Sequence, residues 1–549
     1  LMKMESYQLP SGQPLAEAFI NRNHSGVEKL FGGHPSNAED WQARAEYLKQ
    51  TSHTRVPQPD LAEALQRYTL RFADTAAVKR SLSDIAAGAP VVVGGQQAGI
   101  WTGPLLVIHK AATIIQAARH AAEQIGRPVV PVFWIAGEDH DWDEANHAYV
   151  SAASGRLRKI AIDRPADGRS SVSRSKLAQE AMEQAVADLA MSLPDAPYKQ
   201  QLLGILKESA RTSSTLTDWF AHLLGHLFGE YGLVMLDSDD VDIRRLESAM
   251  FRTLIERGEE LEGAYRRAGA AVCELGYKVQ AEVQEDCANL FLFEKNDNGQ
   301  EERMLLYRRN GRYENRKGTV SLSQEELLAI AEQSPERLSN NVLTRPLMQD
   351  YVLPVLAAVL GQGEIAYWAQ TAEAFRLLNM EMPIIVPRLS FTLVEPGIAK
   401  QMDKFELTFD DFVHRFEAKK QAWLDERDEW AISDTFHQAK EQFAKLYEPI
   451  LALAASVQPG LDELGANNKE RIIQQMAYLE LRTKEAHARR FDAALAQLDR
   501  MASSLWPEGQ PQERVLNAAE FYSRYGTDWI RDLLAVPFDS GGSHRLVYL

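Results

Sequence analysis

The sequence predicts an α/β protein whose parallel-sheet core is interrupted by insertions and followed by a long helical hairpin. Three observations predict it. Two apolar runs, VVV at 91–93 and VVPVFWI at 129–135, flank an apolar-periodic stretch that opens at Pro104. That is the strand–helix–strand order of a βαβ unit, with parallel strands and a right-handed crossover. Two more runs of this kind, LVMLD at 233–237 and PIIVPRLSF at 383–391, lie far along the chain. From about residue 396 the texture changes to a heptad pattern. With 549 residues, 45% of them hydrophobic, the chain is too long for a single core.

The elements follow in order. Residues 1–88 read as polar helices, punctuated by Pro57 and Pro59. The first strand stops at Gly94-Gly95. Pro104 suits a first helical turn, and the helix runs to about Gln124. The second strand stops at Ala136-Gly137 and meets GEDHDWDEANH, 137–147. Short strands and polar turns are expected over 148–175 and helices over 176–229. The third strand ends in Ser238-Asp239-Asp240. A β-rich patch spans about 277–320. A helical stretch over 344–360 leads to GQGEIAYWAQ, 361–370, and a further helix precedes the fourth strand at 383–391.

The heptad seam is Phe436, Ala439, Phe443, Leu446, Ile450, Leu453 and Val457, with Pro449 inside it as an expected kink. Pro459-Gly460 breaks the pattern. A second helix, about Asn467 to Ser504, carries Met476, Leu479, Phe491, Leu495, Leu498 and Leu505 on its apolar positions. Two long helices joined by a short break read as an antiparallel hairpin. Its narrow apolar seam points to self-association. The tail from 506 is expected to fold back onto the core.

The formal net charge of −17 gives no bulk attraction to nucleic acid or anionic lipid, though a local pocket for a small anion remains open. Cys273 and Cys287 have neither zinc spacing nor a disulfide framework, which fits a reducing cytoplasm. The N-terminal stretch lacks the apolar core of a signal peptide, and no apolar run approaches the roughly 18 residues of a membrane span. Neither cysteine lies in a chemistry-bearing stretch, so a cysteine nucleophile is not expected.

Four stretches carry the chemistry. In VVVGGQQAGIWTGPLLVIHK, 91–110, a tight turn accounts for Gly94 and Gly95 alone. It does not account for Gln96, Gln97, Gly99, Thr102 and Gly103 beside them, with His109 in the following helix. Backbone amides at such a turn face an anion, and ligands sit outside strand C-termini in these sheets. The stretch is neither a Walker A loop nor a G-x-G-x-x-G fingerprint. In the second stretch, Glu138, Asp139, His140, Asp141, Asp143, Glu144 and His147 crowd a strand end. General acid–base work is one reading and a solvated loop with a capping Asp is the other. No tidy ligand set for a metal stands out. In the third, Glu364 could orient an amine and Tyr367 and Trp368 could stack on a ring, or all three could serve a helix start and its core. In the fourth, Arg388 and Ser390 stand at a strand end where they could grip a phosphate or carboxylate, as Asp237 stands at another.

Taken together, GQQAGIWTGPLLVIHK, PVVPVFWIAGEDHDWDEANH, GEIAYWAQ, PIIVPRLS and PQERVLN (511–517) resemble the bacillithiol-biosynthesis cysteine-adding enzymes of the BshC family, over essentially the whole chain. The resemblance implies a Rossmann-like core in three parts, 1–147, 231–262 and 331–395. Connecting insertions at 148–230 and 263–330 would separate them. An antiparallel coiled coil for dimerisation, 396–505, and a C-terminal segment packed on the core, 506–549, would follow. It implies the last step of bacillithiol synthesis, with cysteine joined through its carboxyl to the amine of glucosaminyl-malate. Since a free carboxylate and an ammonium do not condense usefully in water, ATP is the expected activator, with ATP or ADP as bound nucleotide and Mg2+ as its companion. The catalytic candidates are Glu138, Asp139, His140, Asp141 and His109. The substrate-binding candidates are Gln96, Gln97, Gly99, Thr102, Gly103, Asp237, Glu364, Tyr367 and Trp368. The nucleotide-binding candidates are Arg388, Ser390, Gln512, Arg514 and Asn517, and no protein-held metal is expected. The paired-histidine phosphate signature of class I nucleotidyltransferases is absent. Two alternatives stay open: a nucleotidyltransferase acting on another small acid, and a non-catalytic dimeric scaffold.

Overall fold

The structure, a computed structural model, describes residues 3–9, 12–152, 155–165, 170–296 and 298–549. The chain forms two compact units, one of residues 1–394 with 511–549 and the other of residues 395–510.

The first unit is built on a five-stranded parallel sheet. We number its strands β1 (Val91–Gln96), β2 (Val130–Ile135), β3 (Val234–Asp237), β4 (Val355–Leu360) and β5 (Ile384–Pro387). Their order is β5-β4-β1-β2-β3, and every neighbouring pair is parallel. The strands are buried on both faces, so their sequences are continuous apolar runs with no alternation. From β1 the chain winds through β2 to β3 on one side, then returns to build β4 and β5 on the other. The order therefore reverses between β1 and β4, the place where open α/β sheets bind ligands beyond their strand C-termini.

The helix Leu106–Ile125 crosses from β1 to β2 and is buried along most of its first four turns. It ends at Gly126, whose φ of 67° is the left-handed cap that glycine adopts without strain. Charge ties the N-terminal region to the helix before β4: Asp350, in Arg345–Val352, pairs with Arg44 at 2.5 Å and Arg55 at 2.9 Å, all three buried.

Two sequence expectations are corrected. Residues 344–360 are not one helix: Arg345–Val352 is helical, but 355–360 is strand β4. Pro354 ends the helix, because proline disfavours a helical conformation in the residue before it. Likewise 383–391 is not one strand. β5 ends at Pro387, and Ser390–Val394 joins a different sheet, between which Arg388 and Leu389 turn the chain. In that second sheet the C-terminal strand His544–Tyr548 lies between Ser390–Val394, parallel, and Met4–Tyr7, antiparallel. A third sheet, antiparallel, contains Cys287–Lys295, Glu301–Arg309 and Leu338–Asn340 among its strands.

The second unit contains the helices Ile432–Val457 and Leu461–Arg489, then Asp492–Leu505 after a break. The first two run antiparallel, since Lys440 pairs with Glu480 at 2.5 Å and Tyr447 bonds Asn468 at 2.5 Å nearer the turn. Pro449 sits inside a continuous helix. The seam residues Leu446, Ile450, Leu453 and Val457 are exposed on this hairpin. Among the described residues no helix is long and apolar enough to cross a membrane.

Candidate functional site

The parallel register brings the candidates at the strand ends to one edge. Gln96 ends β1, Gly137 and Glu138 follow β2, Asp237 ends β3, Gly361 follows β4 and Arg388 follows β5. Beside the reversal between β1 and β4 lies a charged group. Lys110 Nζ, on the helix after β1, donates to Gly95 O at 2.7 Å, Gln96 Oε1 at 3.2 Å and Glu364 Oε2 at 2.6 Å. Glu364 also accepts the Gly361 N–H, closing the first turn after β4. Arg345 lies 3.6 Å from Glu364 and donates to Tyr367 Oη at 2.8 Å. Burial favours the neutral acid at Glu364, but Lys110 and Arg345 outweigh it and hold its pKa below the usual value. Burial also lowers the Lys110 ammonium against the pull of Glu364.

The second cluster lies past β2. Glu138 is buried and receives Arg244, which also donates to Glu247 at 2.7 Å. Asp139 Oδ1 accepts the backbone N–H of His140 at 2.7 Å and of Asp141 at 3.1 Å. Asp141 caps the short helix Trp142–Ala145, and Gln97 Nε2 donates to its carbonyl at 3.2 Å. Of Glu138, Asp139, His140 and Asp141, Glu138 is buried, Asp141 is exposed, and Asp139 and His140 lie between, with side chains 39% and 40% exposed. Burial first, and Arg303 next, lower the His140 pKa, so its ring is neutral at pH 7. Asp237, beside this group, accepts Ser173 Oγ at 2.5 Å. Burial, with Asp239 adding to it, pushes its pKa up to about 8.

Gly137 is required here for space. A Cβ at this position would run into Ser173 Oγ and the Asp237 carboxylate, which hold each other in place. Gly137→Ala is expected to cost about 1–3 kcal/mol by overpacking, seen as a lower melting midpoint. Wild-type melting would show that Ser173 and Asp237 can move apart freely.

Other candidates are placed inside rather than on a ligand face. Gly99, Thr102 and Gly103 are buried, and only Gln96 and Gln97 of that loop reach the surface. Trp101, Thr102 and Gly103 have φ of 48°, 77° and 70°, a strained run for the two residues that are not glycine. Asn517 braces it: its Nδ2 lies 3.1 Å from Trp101 O and 2.7 Å from Gly103 O. Gln512 is likewise committed, bonding both the N–H and the carbonyl of Leu393 at 2.9 Å. His109 is fully buried, its Nδ1 2.6 Å from Glu513 Oε2. Trp368 is buried in the core. The C-terminal segment packs against the β1 loop and takes up His109 Nδ1 through Glu513 and the carbonyls of Trp101 and Gly103 through Asn517.

Arg388 donates to both oxygens of Glu513, at 2.6 and 2.8 Å. With Ser390, Arg514, Ser543, His544 and the Gly361–Gly363 turn it lines a cavity of about 890 Å³. Ser390 Oγ meets His544 Nδ1 at 2.8 Å, and burial pushes the His544 pKa down to about 4. Among the described residues no group of three or more His, Cys, Asp or Glu side chains is arranged to hold a metal ion.

Lys110, Arg345, Arg244, Arg303 and Glu513 were not among the expected site residues. Lys110 and Glu513 lie inside stretches already singled out, next to His109 and Gln512. The three arginines come from distant segments that carry no motif.

Comparison with known proteins agrees with this architecture. Residues 2–389 match the family described as bacillithiol biosynthesis BshC, N-terminal Rossmann-like domain, and residues 391–549 match bacillithiol biosynthesis BshC, C-terminal coiled-coil domain. Relatives from Geobacillus thermodenitrificans and Geobacillus kaustophilus are 35% and 34% identical over the full length of both chains. A relative from Bacillus cereus is 35% identical over 84% of each chain. All three carry the name "Putative cysteine ligase BshC". A Rossmann-like parallel sheet with its charged strand ends, a helical coiled-coil unit and full-length similarity lead to one conclusion: this chain belongs to the BshC family of bacillithiol biosynthesis.

Proposed function

We propose that this protein is a cysteine ligase that joins the carboxyl of L-cysteine to the amine of glucosaminyl-malate, with ATP activating the carboxylate. The observation that carries this reading is the edge of the parallel sheet where the strand order reverses. It gathers the Lys110–Glu364–Arg345 group and the neutral imidazole of His140 beside Asp139. Amide formation needs a base for the acceptor ammonium, and a neutral His140 can take that proton. It also needs oriented charge. Glu364 is the more exposed member of its pair, 22% against 1% for Lys110, and can receive an ammonium group. Gln96 and Gln97 supply neutral donors and acceptors at the mouth of β1.

The 890 Å³ cavity suits a nucleotide in size and in chemistry. Arg388 and Arg514 would face phosphate oxygens, Ser390 and Ser543 would donate hydroxyls, and Gln512 and Asn517 would hold the wall from behind. When bound, ATP supplies the activation of the cysteine carboxylate, and Mg2+ would accompany its phosphates. In the same reading the exposed seam of Leu446, Ile450, Leu453 and Val457 pairs two copies into a homodimer. The cytoplasm is the expected compartment.

The test is mass spectrometry of purified protein with glucosaminyl-malate, cysteine, ATP and magnesium, each omitted in turn. Bacillithiol is expected only in the complete mixture, together with a spent nucleotide. Product without ATP, or no product from folded protein in the complete mixture, overturns the ATP-dependent reading.

A further inference from the structure

Two arginines lie against adjacent phenylalanines of the antiparallel insertion sheet, and they differ in one respect. Arg174 packs its guanidinium 3.7 Å from the Phe293 ring centroid and clamps Asp239 with two bonds of 2.9 Å. Arg303 packs 3.8 Å from the Phe291 centroid and has no carboxylate partner among the described residues. Its Nε donates to Ser339 Oγ at 2.9 Å, its Nη2 to Asn340 O at 2.8 Å, and its Nη1 lies 3.4 Å from His140 Nδ1. The fork is thus fixed by three contacts, all to neutral groups. A guanidinium carries five N–H donors, so two remain uncommitted among the described residues.

Four other arginines of the first unit are matched to carboxylates. Arg44 and Arg55 share Asp350, Arg244 holds Glu138 and Glu247, and Arg388 holds Glu513. Burial lowers the Arg303 pKa despite the pull of Glu138 and Asp139. Ordering a desolvated cation without a counter-charge costs free energy, and a bound anion returns it. Arg303 is only half-buried, so a ligand can reach it.

The proposed acceptor is both anionic and hydroxylated. Its malyl group brings carboxylates to a protein of net charge −17, so a local cation serves its recognition. Resting on the ligase reading above, we infer that Arg303 binds a carboxylate of the acceptor's malyl group and is a specificity-determining residue. The planar fork on Phe291 suits a carboxylate in two-pronged contact. Its proximity to His140 places the acceptor amine near the base. The insertion sheet thereby contributes selectivity to a site whose other parts come from the core.

The experiment compares wild type, Arg303→Gln and Arg303→Lys with two acceptors, glucosaminyl-malate and methyl glucosaminide, which has the same amine and no carboxylate. Wild type is expected to favour glucosaminyl-malate. In Arg303→Gln the ratio of kcat/KM between the two acceptors falls about ten- to a hundredfold, the range for a lost charged hydrogen bond. The loss lies in KM for glucosaminyl-malate and not in KM for cysteine, and Arg303→Lys recovers part of it. Equal losses with both acceptors, or a shift in cysteine KM instead, overturn the inference. Calorimetric binding of glucosaminyl-malate keeps the test independent of turnover. Wild type must bind it at least tenfold more tightly than Arg303→Gln does, with both proteins folded by melting, or the inference fails. Binding as expected without product would mean that the ligase reading failed and the anion site did not.

Discussion

His140→Ala is expected to lower kcat about 10²- to 10⁴-fold at neutral pH, the contribution of a positioned general base, and to leave the fold intact. The side chain is 40% exposed; among the described residues its ring lies 3.4 Å from Arg303 and 3.7 Å from the neighbouring Asp139, and tilted against Phe291. Its removal opens no buried cavity, so the melting midpoint should barely move. The pH profile gives a second reading. Burial, then Arg303, lower the His140 pKa from 6.5. The ring is therefore neutral at pH 7 and becomes protonated only below pH 6.5. Activity should fall as pH drops through that lower value, and this acidic limb should vanish in the variant's residual rate. Bacillithiol formation near the wild-type rate in His140→Ala would remove the imidazole from the proposed mechanism.

The strand ends were legible because a strand buried on both faces is written as an apolar run that stops abruptly. Gln96, Glu138, Asp237 and Arg388 were found in this way, and the parallel register carries them to one edge. β4 was missed for the same reason turned around. VLAAVL is as good a helical sequence as a strand, and without alternation only the preceding Pro354 separates the two. The assignment of Thr102 and His109 to a ligand rested on residue type near a glycine turn. The sequence cannot show that a segment 400 residues later fills the space around them, as Glu513 does for His109. Arg303 and Arg244 are unreadable in principle from local pattern. Each stands in an ordinary strand or helix, and only the tertiary fold brings it to Glu138 or His140.

That dependence on the C-terminal segment leads to the largest expected effect on stability, Glu513→Ala. Glu513 is buried and accepts from Arg388 through both oxygens, at 2.6 and 2.8 Å, while His109 Nδ1 lies 2.6 Å from Oε2. Burial alone would push this carboxyl up, but Arg388 and His109 hold it well below the usual range. Removing it strands a buried guanidinium, and breaking such a pair costs about 3–5 kcal/mol. Arg388→Met removes the other partner. The double variant should therefore lose less than the sum of the single ones, since much of each loss is an unpaired charge. The sign with pH follows from the lowered pKa. In wild type the stabilisation by Glu513 is fully present above about pH 4.5 and fades as pH falls through the folded-state value; Glu513→Gln should lack that acid-dependent component. The same loss should spread to the β1 loop. Gln512 and Asn517 flank Glu513 and hold Leu393 and the strained Trp101–Gly103 turn. Once the segment loosens, those bonds are lost, so amide hydrogen exchange should quicken at residues 99–105. Melting like wild type with unchanged exchange there would mean that the strained turn is held from within, and the C-terminal segment would no longer account for its shape.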